Sequence, residues 1–317
     1  RLEKCGFGVE YLRAEGALGD SDAYPRTNIV ARIEGDGPGP CVHFNSHIDV
    51  VAPGEGWTVD PFGGEIRDGR VYGRGACDMK GGLAASIVAV EAILDSGIPF
   101  PGAIEISGTV DEESGGYAGV AWLAERGYFS QPRVDHVIIP EPLYKDAVCL
   151  GHRGVWWAEV KVKGRIAHGS MPFLGVSAIR GMGAFIEKVE RELYPRLEQR
   201  RTEMPVIPDA ARQSTLNFNS LHGGLPEQEY ADGFPSALVA DRCRIVLDRR
   251  YLIEENKEDV RDEVVALLED LQRERPEFEY ALKELWSVPP TMTAPELPLV
   301  RALDRNITRV LGVEPRH

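Results

Sequence analysis

The chain has 317 residues, of which 43% are hydrophobic and 27% are charged, a composition typical of globular proteins. This length predicts about two domains, each with room for a buried core. The formal net charge of −14 argues against a nucleic-acid partner. The lack of an apolar run of roughly 18 residues argues against a helix that spans a membrane.

The five cysteines are scattered and include no C-x-x-C pair: Cys5, Cys41, Cys77, Cys149 and Cys243. An odd number of isolated cysteines favours a reducing cytoplasm over a disulfide framework. The pattern also excludes a thiolate-rich zinc site. Any metal ion would therefore have to be held by histidine and carboxylate groups.

Between residues 27 and 150, segments typical of strands and helices alternate. The strand-like runs are TNIVARIEG, PCVHFNSHIDVV, GAIEISGTVDEE and VDHVIIPEP. Helices are predicted for KGGLAASIVAVEAILDSG, which ends at Gly97, and for GYAGVAWLAERG. This alternation indicates an α/β unit with a largely buried sheet. Ligands of such sheets gather at the carboxyl ends of the strands, and three of these strands end in acidic or imidazole groups.

The pattern changes near residue 154. Strands are predicted for GVWWAEVKVKGRIAH, STLNFNSLHGG, DRCRIVLDRRYL and FEYALKELWSV, and helices at about 175–193 and 254–273. This β-α-β-β-α-β order predicts a compact α+β domain of ferredoxin-like type. The chain then returns to helix, so we expect an insertion: residues 1–153 and 290–317 would form the first domain, and residues 154–289 the second.

Polar side chains cluster at the ends of the predicted strands. The candidates are His47, Asp49, Asp78, Glu112, Glu113 and Glu141. Singly, each has a structural explanation: Asp78, for example, could cap the following helix. Together, one histidine and several carboxylates at successive strand ends specify a hard or borderline divalent metal ion.

The motifs that carry these groups resemble those of a known family. HFNSHIDVV, GWTVDPFGGEIRDGRVYGRGACDMKGG, GTVDEESGG and PEP are similar to motifs of the dinuclear-zinc aminoacylase and carboxypeptidase family. That family includes acetylornithine deacetylase, succinyl-diaminopimelate desuccinylase and the glutamate carboxypeptidases. The similarity extends to RIAHGSMP, NFNSLHGG and DRRYLIEE. It implies a mixed-sheet, zinc-peptidase-like catalytic domain with an inserted lid and dimerisation domain.

The resemblance implies two divalent metal ions, zinc or possibly cobalt or manganese. His47 would bind the first ion, with Glu141 completing its coordination. Glu113 would bind the second ion, and Asp78 would bridge the two. The Asp78–Met79 peptide bond is expected to be cis.

The resemblance also implies two groups that support the chemistry. Asp49 would orient the imidazole of His47. Glu112 would act as the general base that takes a proton from the metal-bridging water and passes it to the leaving amine. Adjacent strand residues point to opposite sides, so Glu112 and Glu113 can serve one site only if the chain bends there.

The second domain would contribute to substrate binding and form a homodimer. His168 matches a histidine that reaches the active site of the partner subunit and helps to bind the tetrahedral oxyanion. Without the motif, His168 would be interpreted as a turn residue that caps backbone groups.

Further substrate contacts are implied by the DRRYLIEE and NFNSLHGG motifs. Arg250 matches the position that holds the substrate carboxylate, and a guanidinium fork suits that role. Arg249, or a surface salt bridge, remains an alternative. Asn217 or Asn219, together with Gly223–Gly224, would line the cleft.

The leading hypothesis is a cytoplasmic, zinc-dependent amidohydrolase that acts on a small N-acyl amino acid. It would remove an acetyl, succinyl or formyl group by attack of a metal-bridging hydroxide. A dipeptidase or carboxypeptidase of the same family is the alternative. In that family the second zinc has one more ligand, a histidine near the C-terminus of the catalytic domain. The motif for this histidine does not occur in the sequence up to His317, so we expect the chain to be incomplete at this end. A catalytically dead dimeric binding protein is the competing explanation.

Overall fold

A computed structural model describes residues 1–225 and 237–317 of the protein. The chain divides into two compact units, Arg1–Lys145 and Asp146–His317. Within the described residues, no helix combines the length and the apolar character that crossing a membrane requires.

The first unit is built on a mixed sheet. Its strands are β1 (Gly8–Arg13), β2 (Thr27–Glu34), β3 (Cys41–His47), β4 (Glu65–Arg67), β5 (Arg70–Tyr72), β6 (Ala103–Thr109) and β7 (His136–Ile138). Five of them form a sheet in the order β1-β2-β6-β3-β7, and β4 pairs with β5 in a separate ribbon. The three strands β6, β3 and β7 are parallel, whereas β1 and β2 are antiparallel to their neighbours. The predicted mixed α/β fold is confirmed.

Parallel pairing aligns the ends of the strands that carry the candidate groups. In the register of β3 and β6, His43 lies opposite Glu105 and His47 lies opposite Thr109. Every residue of β6 is buried, as expected for a strand covered on both faces. The carboxyl ends of β3 and β6 therefore meet at one edge of the sheet.

Helices α1 (Gly82–Asp95) and α2 (Trp122–Ala124) belong to this unit. In α1, Val90 packs into a core that also contains Ile104 and Ile106 of β6. The helix begins very close to the segment after β7, because a Cβ atom on Gly82 would lie only 2.0 Å from the carbonyl oxygen of Pro140.

The second unit contains an antiparallel sheet covered by helices. Its strands are β8 (Gly151–His152), β9 (Gly154–Lys163), β10 (Thr215–Gly223), β11 (Arg242–Tyr251), β12 (Glu279–Val288) and β13 (Thr291–Met292). Its helices are α3 (Ala178–Lys188), α4 (Tyr194–Leu197), α5 (Lys257–Glu274) and α6 (Pro298–Leu311). The main sheet has the order β10-β11-β9-β12. With α3 after β9 and α5 after β11, this is the predicted ferredoxin-like arrangement.

The two faces of this sheet differ. Apolar residues of β9 and β11, such as Val160 and Ile245, join one core with Phe185 of α3 and Leu268 of α5. Because side chains alternate along a strand, the remaining residues of β11 point to the other side. We call that side, which carries Arg244, Asp248 and Arg250, the outer face.

A short ribbon lies beside the predicted domain boundaries. Strand β8 pairs with β13, with His152 opposite Thr291. This pairing brings the predicted boundaries at 153/154 and 289/290 close together, and the insertion itself stays a prediction. Residues 290–317 fall within the second compact unit, so their assignment to the catalytic domain stays a prediction.

A cluster of buried charged side chains lies on the helix-covered side of β11. The Arg249 side chain is fully buried, and its Nη2 lies 2.9 Å from Glu255 and 3.6 Å from Glu263. Arg200 also pairs with both carboxylates. Burial lowers the pKa of Arg249, although Glu255 and Glu263 oppose this effect. Arg249 is therefore a structural group.

We expect Arg249→Met to lower the free energy of unfolding by about 3–5 kcal/mol, because it removes one partner of a buried ion cluster. The matched control is Arg250→Met, one residue away on the outer face, where loss of a partly exposed pair should cost at most about 1 kcal/mol. Urea unfolding followed by circular dichroism measures both. Equal losses would contradict the assignment of the two arginines to different faces.

We expect Gly82→Ala to destabilise the protein by about 1–3 kcal/mol, since the added methyl group would overlap the backbone at Pro140. Gly183→Ala is the control, because Gly183 is an exposed helix residue with nothing within 4 Å of its missing Cβ. That change should raise stability by about 0.5–1 kcal/mol. If both changes stabilise the protein in urea unfolding, the close approach of α1 to Pro140 is wrong.

Candidate metal centre

The imidazole of His47 lies at the centre of a group of carboxylates. His47 is the last residue of β3 and is only 2% exposed. Its Nε2 is 3.1 Å from Oδ1 of Asp78, 3.7 Å from Oε1 of Glu141 and 3.9 Å from Oε2 of Glu112. Three other candidates thus lie around one nitrogen of the His47 imidazole, at the end of the sheet.

The chain positions these side chains through turns that follow the strands. Asp78 lies in the turn Ala76–Gly81 that leads into α1. Its peptide bond to Met79 is cis, which confirms the prediction. Glu141 follows β7 after Ile139 and Pro140. The close contact of Gly82 with Pro140 holds these two segments together.

Three of the groups could share one metal ion. Ligand atoms of His47, Asp78 and Glu141 all lie within 4.8 Å of one another. One imidazole nitrogen and carboxylate oxygens form a donor set that suits a borderline or hard divalent cation. Among the described residues, no lysine or arginine forms an ion pair with Asp78, Glu112 or Glu141. The residues present therefore fit a cation.

The pKa values of the cluster are shifted by burial and by the neighbouring carboxylates. Burial raises the pKa of Glu141 to about 7; His47 opposes this shift, and Asp78 and Glu112 add to it. Burial is also the main cause that raises the pKa of Glu112. Burial lowers the pKa of His47, but the neighbouring carboxylates outweigh this effect and raise it overall. A bound cation would relieve the repulsion among these groups.

Asp49 connects His47 to the turn that carries Glu112 and Glu113. Its carboxylate accepts hydrogen bonds from the backbone N–H groups of Glu112 (3.2 Å) and Glu113 (3.1 Å). Its own backbone oxygen lies 3.1 Å from Nδ1 of His47, and its carboxylate is 3.5 Å from that nitrogen. Asp49 thus contacts both the imidazole and the acidic turn.

The chain bends between β6 and the acidic pair. Asp111 adopts a left-handed conformation with φ of 68°, which is uncommon for residues other than glycine. The short turn Glu112–Ser114 follows directly. Glu113 is exposed and lies outside the ligand group found among the described residues. Its role as a ligand of a second ion stays a prediction.

Sequence reasoning missed two residues that position the site. The backbone N–H of His47 donates to the sulfur of Met79 at 3.1 Å, and Met79 is buried. Gly82 allows α1 to approach Pro140. The paired glycines of MKGG were a signal in the sequence for the contact of Gly82 with Pro140. Nothing in the sequence pointed to the contact of Met79 with His47.

The remaining candidates lie in the second unit. His168 is exposed, and its Nδ1 accepts a hydrogen bond from the backbone N–H of Ser170 at 3.2 Å. On the outer face of the sheet, Arg250 pairs with Asp248.

The other predicted substrate contacts lie on or beside β10. Asn217 and Asn219 are exposed, and Nδ2 of Asn217 donates to Oδ1 of Asn219 at 2.8 Å. Gly223 and Gly224 line a pocket of about 770 Å³. Whether these residues bind substrate stays a prediction.

Comparison with known proteins places this arrangement in a family. Residues 43–317 match the sequence profile described as Peptidase family M20/M25/M40. The chain is 38% identical, over 70% of its length, to succinyl-diaminopimelate desuccinylase of Gluconobacter oxydans (strain 621H), and the match covers 61% of that enzyme. Succinyl-diaminopimelate desuccinylase of Wolinella succinogenes is 30% identical to the chain, and the match covers 99% of the chain and 80% of that enzyme. The chain thus spans less than two thirds of the Gluconobacter relative.

Solved structures show the same fold. Human carnosine dipeptidase 1 aligns with a TM-score of 0.73 at 22% identity, over 99% of this chain and 75% of its own. An M20 family metallo-carboxypeptidase from Sulfolobus solfataricus also gives a TM-score of 0.73, at 19% identity, over 99% of this chain and 77% of its own. The profile match, the related desuccinylases and the fold agree: this chain belongs to peptidase family M20/M25/M40.

Proposed function

We propose that the protein is a metal-dependent amidohydrolase that removes an N-acyl group from an amino acid or small amine. The observation that carries this proposal is the convergence of His47, Asp78 and Glu141 with no lysine or arginine paired to either carboxylate among the described residues. The relatives named succinyl-diaminopimelate desuccinylase favour a succinyl group. Acetyl and formyl groups, and a dipeptide, are the alternatives.

A divalent cation held by His47, Asp78 and Glu141 would polarise the amide carbonyl and acidify a water molecule. Zinc suits the mixed nitrogen and oxygen donors, and cobalt or manganese could take its place. A second ion would be held by Asp78 and Glu113. Asp49 would keep the imidazole and the acidic turn in place through the contacts described above.

Glu112 is the proposed general base. Its carboxylate oxygen lies 3.9 Å from Nε2 of His47, and the side chain is half exposed. It is therefore close to the candidate ligands and still accessible to water and substrate. Burial raises the pKa of Glu112, which helps a carboxylate that must accept a proton and later release it to the leaving amine.

His168 is the proposed hydrogen-bond donor for the oxyanion. Because Nδ1 of His168 accepts from the N–H of Ser170, the neutral ring carries its proton on Nε2. That N–H has the polarity needed to stabilise developing negative charge. Its proposed use in the active site of a partner subunit requires a homodimer formed through residues 154–289.

The cytoplasm is the proposed location of the protein.

Assaying the full-length protein, loaded with zinc or cobalt, against N-acetyl, N-succinyl and N-formyl amino acids and dipeptides tests the proposal. Metal-dependent release of amine from the N-succinyl substrates is expected. Release from dipeptides alone would favour a peptidase. If no amine is released although metal is bound, the proposed acyl substrates are wrong. If no amine is released and no metal is bound, a binding protein that has lost catalysis is favoured.

We expect Glu112→Gln to lower kcat by about 10²–10⁴, because the amide cannot accept the proton, with metal content unchanged. The neighbouring Glu113→Gln is the matched control and should instead reduce the number of metal ions bound per chain. Steady-state kinetics and elemental analysis of the two variants separate these effects. Full activity of Glu112→Gln would overturn its role as the base.

A further inference from the structure

Asn28 lies near the start of β2, and its side chain is completely buried. Its Nδ2 donates to the backbone oxygen of Ala118 at 2.8 Å, and its Oδ1 accepts from the backbone N–H of Val110 at 3.1 Å. Val110 directly follows β6, and Ala118 lies beyond the acidic pair in the chain. One side chain therefore joins the two ends of residues 110–118, which we call the acidic loop.

Further contacts close the acidic loop at the same place. Oδ2 of Asp111 accepts from the backbone N–H of Ala118 at 3.3 Å, and Asp111 is only 5% exposed. Gly119 allows the two ends of the loop to approach each other, because a Cβ atom there would lie only 1.9 Å from the carbonyl oxygen of Val110. The ends of the loop are thus packed against each other, and Asn28 fixes them to β2.

The middle of the acidic loop has a separate anchor at the candidate metal centre. The backbone N–H groups of Glu112 and Glu113 donate to Asp49, which also contacts His47. Among the described residues, the side chain of Asn28 forms no hydrogen bond with a candidate metal ligand. Its influence on the site therefore passes through the position of the loop.

A neutral amide suits this place. Asp111, Glu112 and Glu113 are adjacent acids, and their mutual repulsion favours a more open loop. A lysine or arginine anchor would pair with one of these carboxylates and weaken its capacity to accept a proton. Asn28 instead binds backbone groups, because an amide can donate and accept at once. It restrains the loop without neutralising Glu112.

We propose that Asn28 is a positioning residue for catalysis, which closes the acidic loop and thereby places the carboxylate of Glu112 at the candidate metal centre. A general base must lie within reach of the proton that it takes, and a displacement of about 1 Å can lower the rate by about 10²-fold. The role of Glu112 as the base rests on the proposed function, whereas the closure of the loop by Asn28 does not.

A double-mutant cycle in the full-length protein, with zinc in excess and an N-acyl substrate that the wild type hydrolyses, tests whether Asn28 acts through Glu112. We expect Asn28→Ala to lower kcat by about tenfold or more and to leave KM unchanged. In the Glu112→Gln background the same change should lower kcat by less than about threefold, because the base that Asn28 positions is already absent. Equal losses in the two backgrounds, or no loss in either, would show that Asn28 does not position Glu112.

Ile104→Ala is the matched control for a general loss of stability. Ile104 packs in the core of the first unit, near the start of β6 and therefore at the end of that strand away from the acidic loop. This change should weaken the fold and leave kcat within about twofold of the wild type. If it lowers kcat as much as Asn28→Ala does, the effect of Asn28→Ala reflects stability alone and the proposal is wrong.

Amide hydrogen exchange of the metal-free protein, followed by mass spectrometry of peptides, tests the closure of the loop without any activity. In the wild type, the amides of Val110, Glu112 and Glu113 should exchange slowly, since each donates a hydrogen bond. Asn28→Ala should speed exchange of the acidic loop by about tenfold or more and leave peptides of α5 unchanged. Unprotected exchange of the loop in the wild type would contradict the proposal even if the variant does not fold.

The two proposals can be told apart when they fail. If the wild type hydrolyses amides but Asn28→Ala keeps its full kcat, the proposed function stands and the positioning role falls. If the wild type hydrolyses no amide, the proposed function and the catalytic role of Asn28 fall together, whereas the exchange experiment still decides whether Asn28 closes the acidic loop.

Discussion

The convergence of carboxylates on one imidazole is the constraint on which the first unit depends. Asp78, Glu112 and Glu141 reach His47 from three different segments of the chain. Their mutual repulsion opposes this arrangement, and no lysine or arginine of the described residues offsets it. Backbone contacts must therefore hold the segments in place.

Another carboxylate in the same sheet shows that negative charges elsewhere in the protein do have positively charged partners. Glu105 is fully buried in β6, yet Arg133 lies 2.7 Å from its carboxylate, and His43 lies 3.4 Å away. Burial alone would raise the pKa of Glu105, but these partners lower it overall. Glu141 is less buried, yet burial raises its pKa, and its acidic neighbours Asp78 and Glu112 add to the shift. Glu105 is thus a structural carboxylate, and the cluster around His47 is suited to bind a cation.

The sequence predicted much of the fold because periodic patterns report on burial. Alternating segments predicted the α/β unit, and the strand and helix order predicted the ferredoxin-like sheet. The motifs also predicted which acidic residues surround His47. Contacts between distant segments were not visible, since they depend on three-dimensional packing. The hydrogen bonds from Glu112 and Glu113 to Asp49, and the contact of Met79 with His47, are of this kind.

The adjacent arginines of β11 show what the periodicity of a sequence can predict and what it cannot. Alternation along a strand requires Arg249 and Arg250 to point to opposite faces, but it does not say which face the helices cover. Once α5 packs on the side of Arg249, that guanidinium must pair with buried acids. Arg250 then remains on the outer face, where it pairs with Asp248 at 2.7 Å. The two guanidinium groups therefore differ in their surroundings: Arg249 is held by largely buried carboxylates of the fold, whereas Arg250 faces the other side of the sheet with Asp248 as its partner.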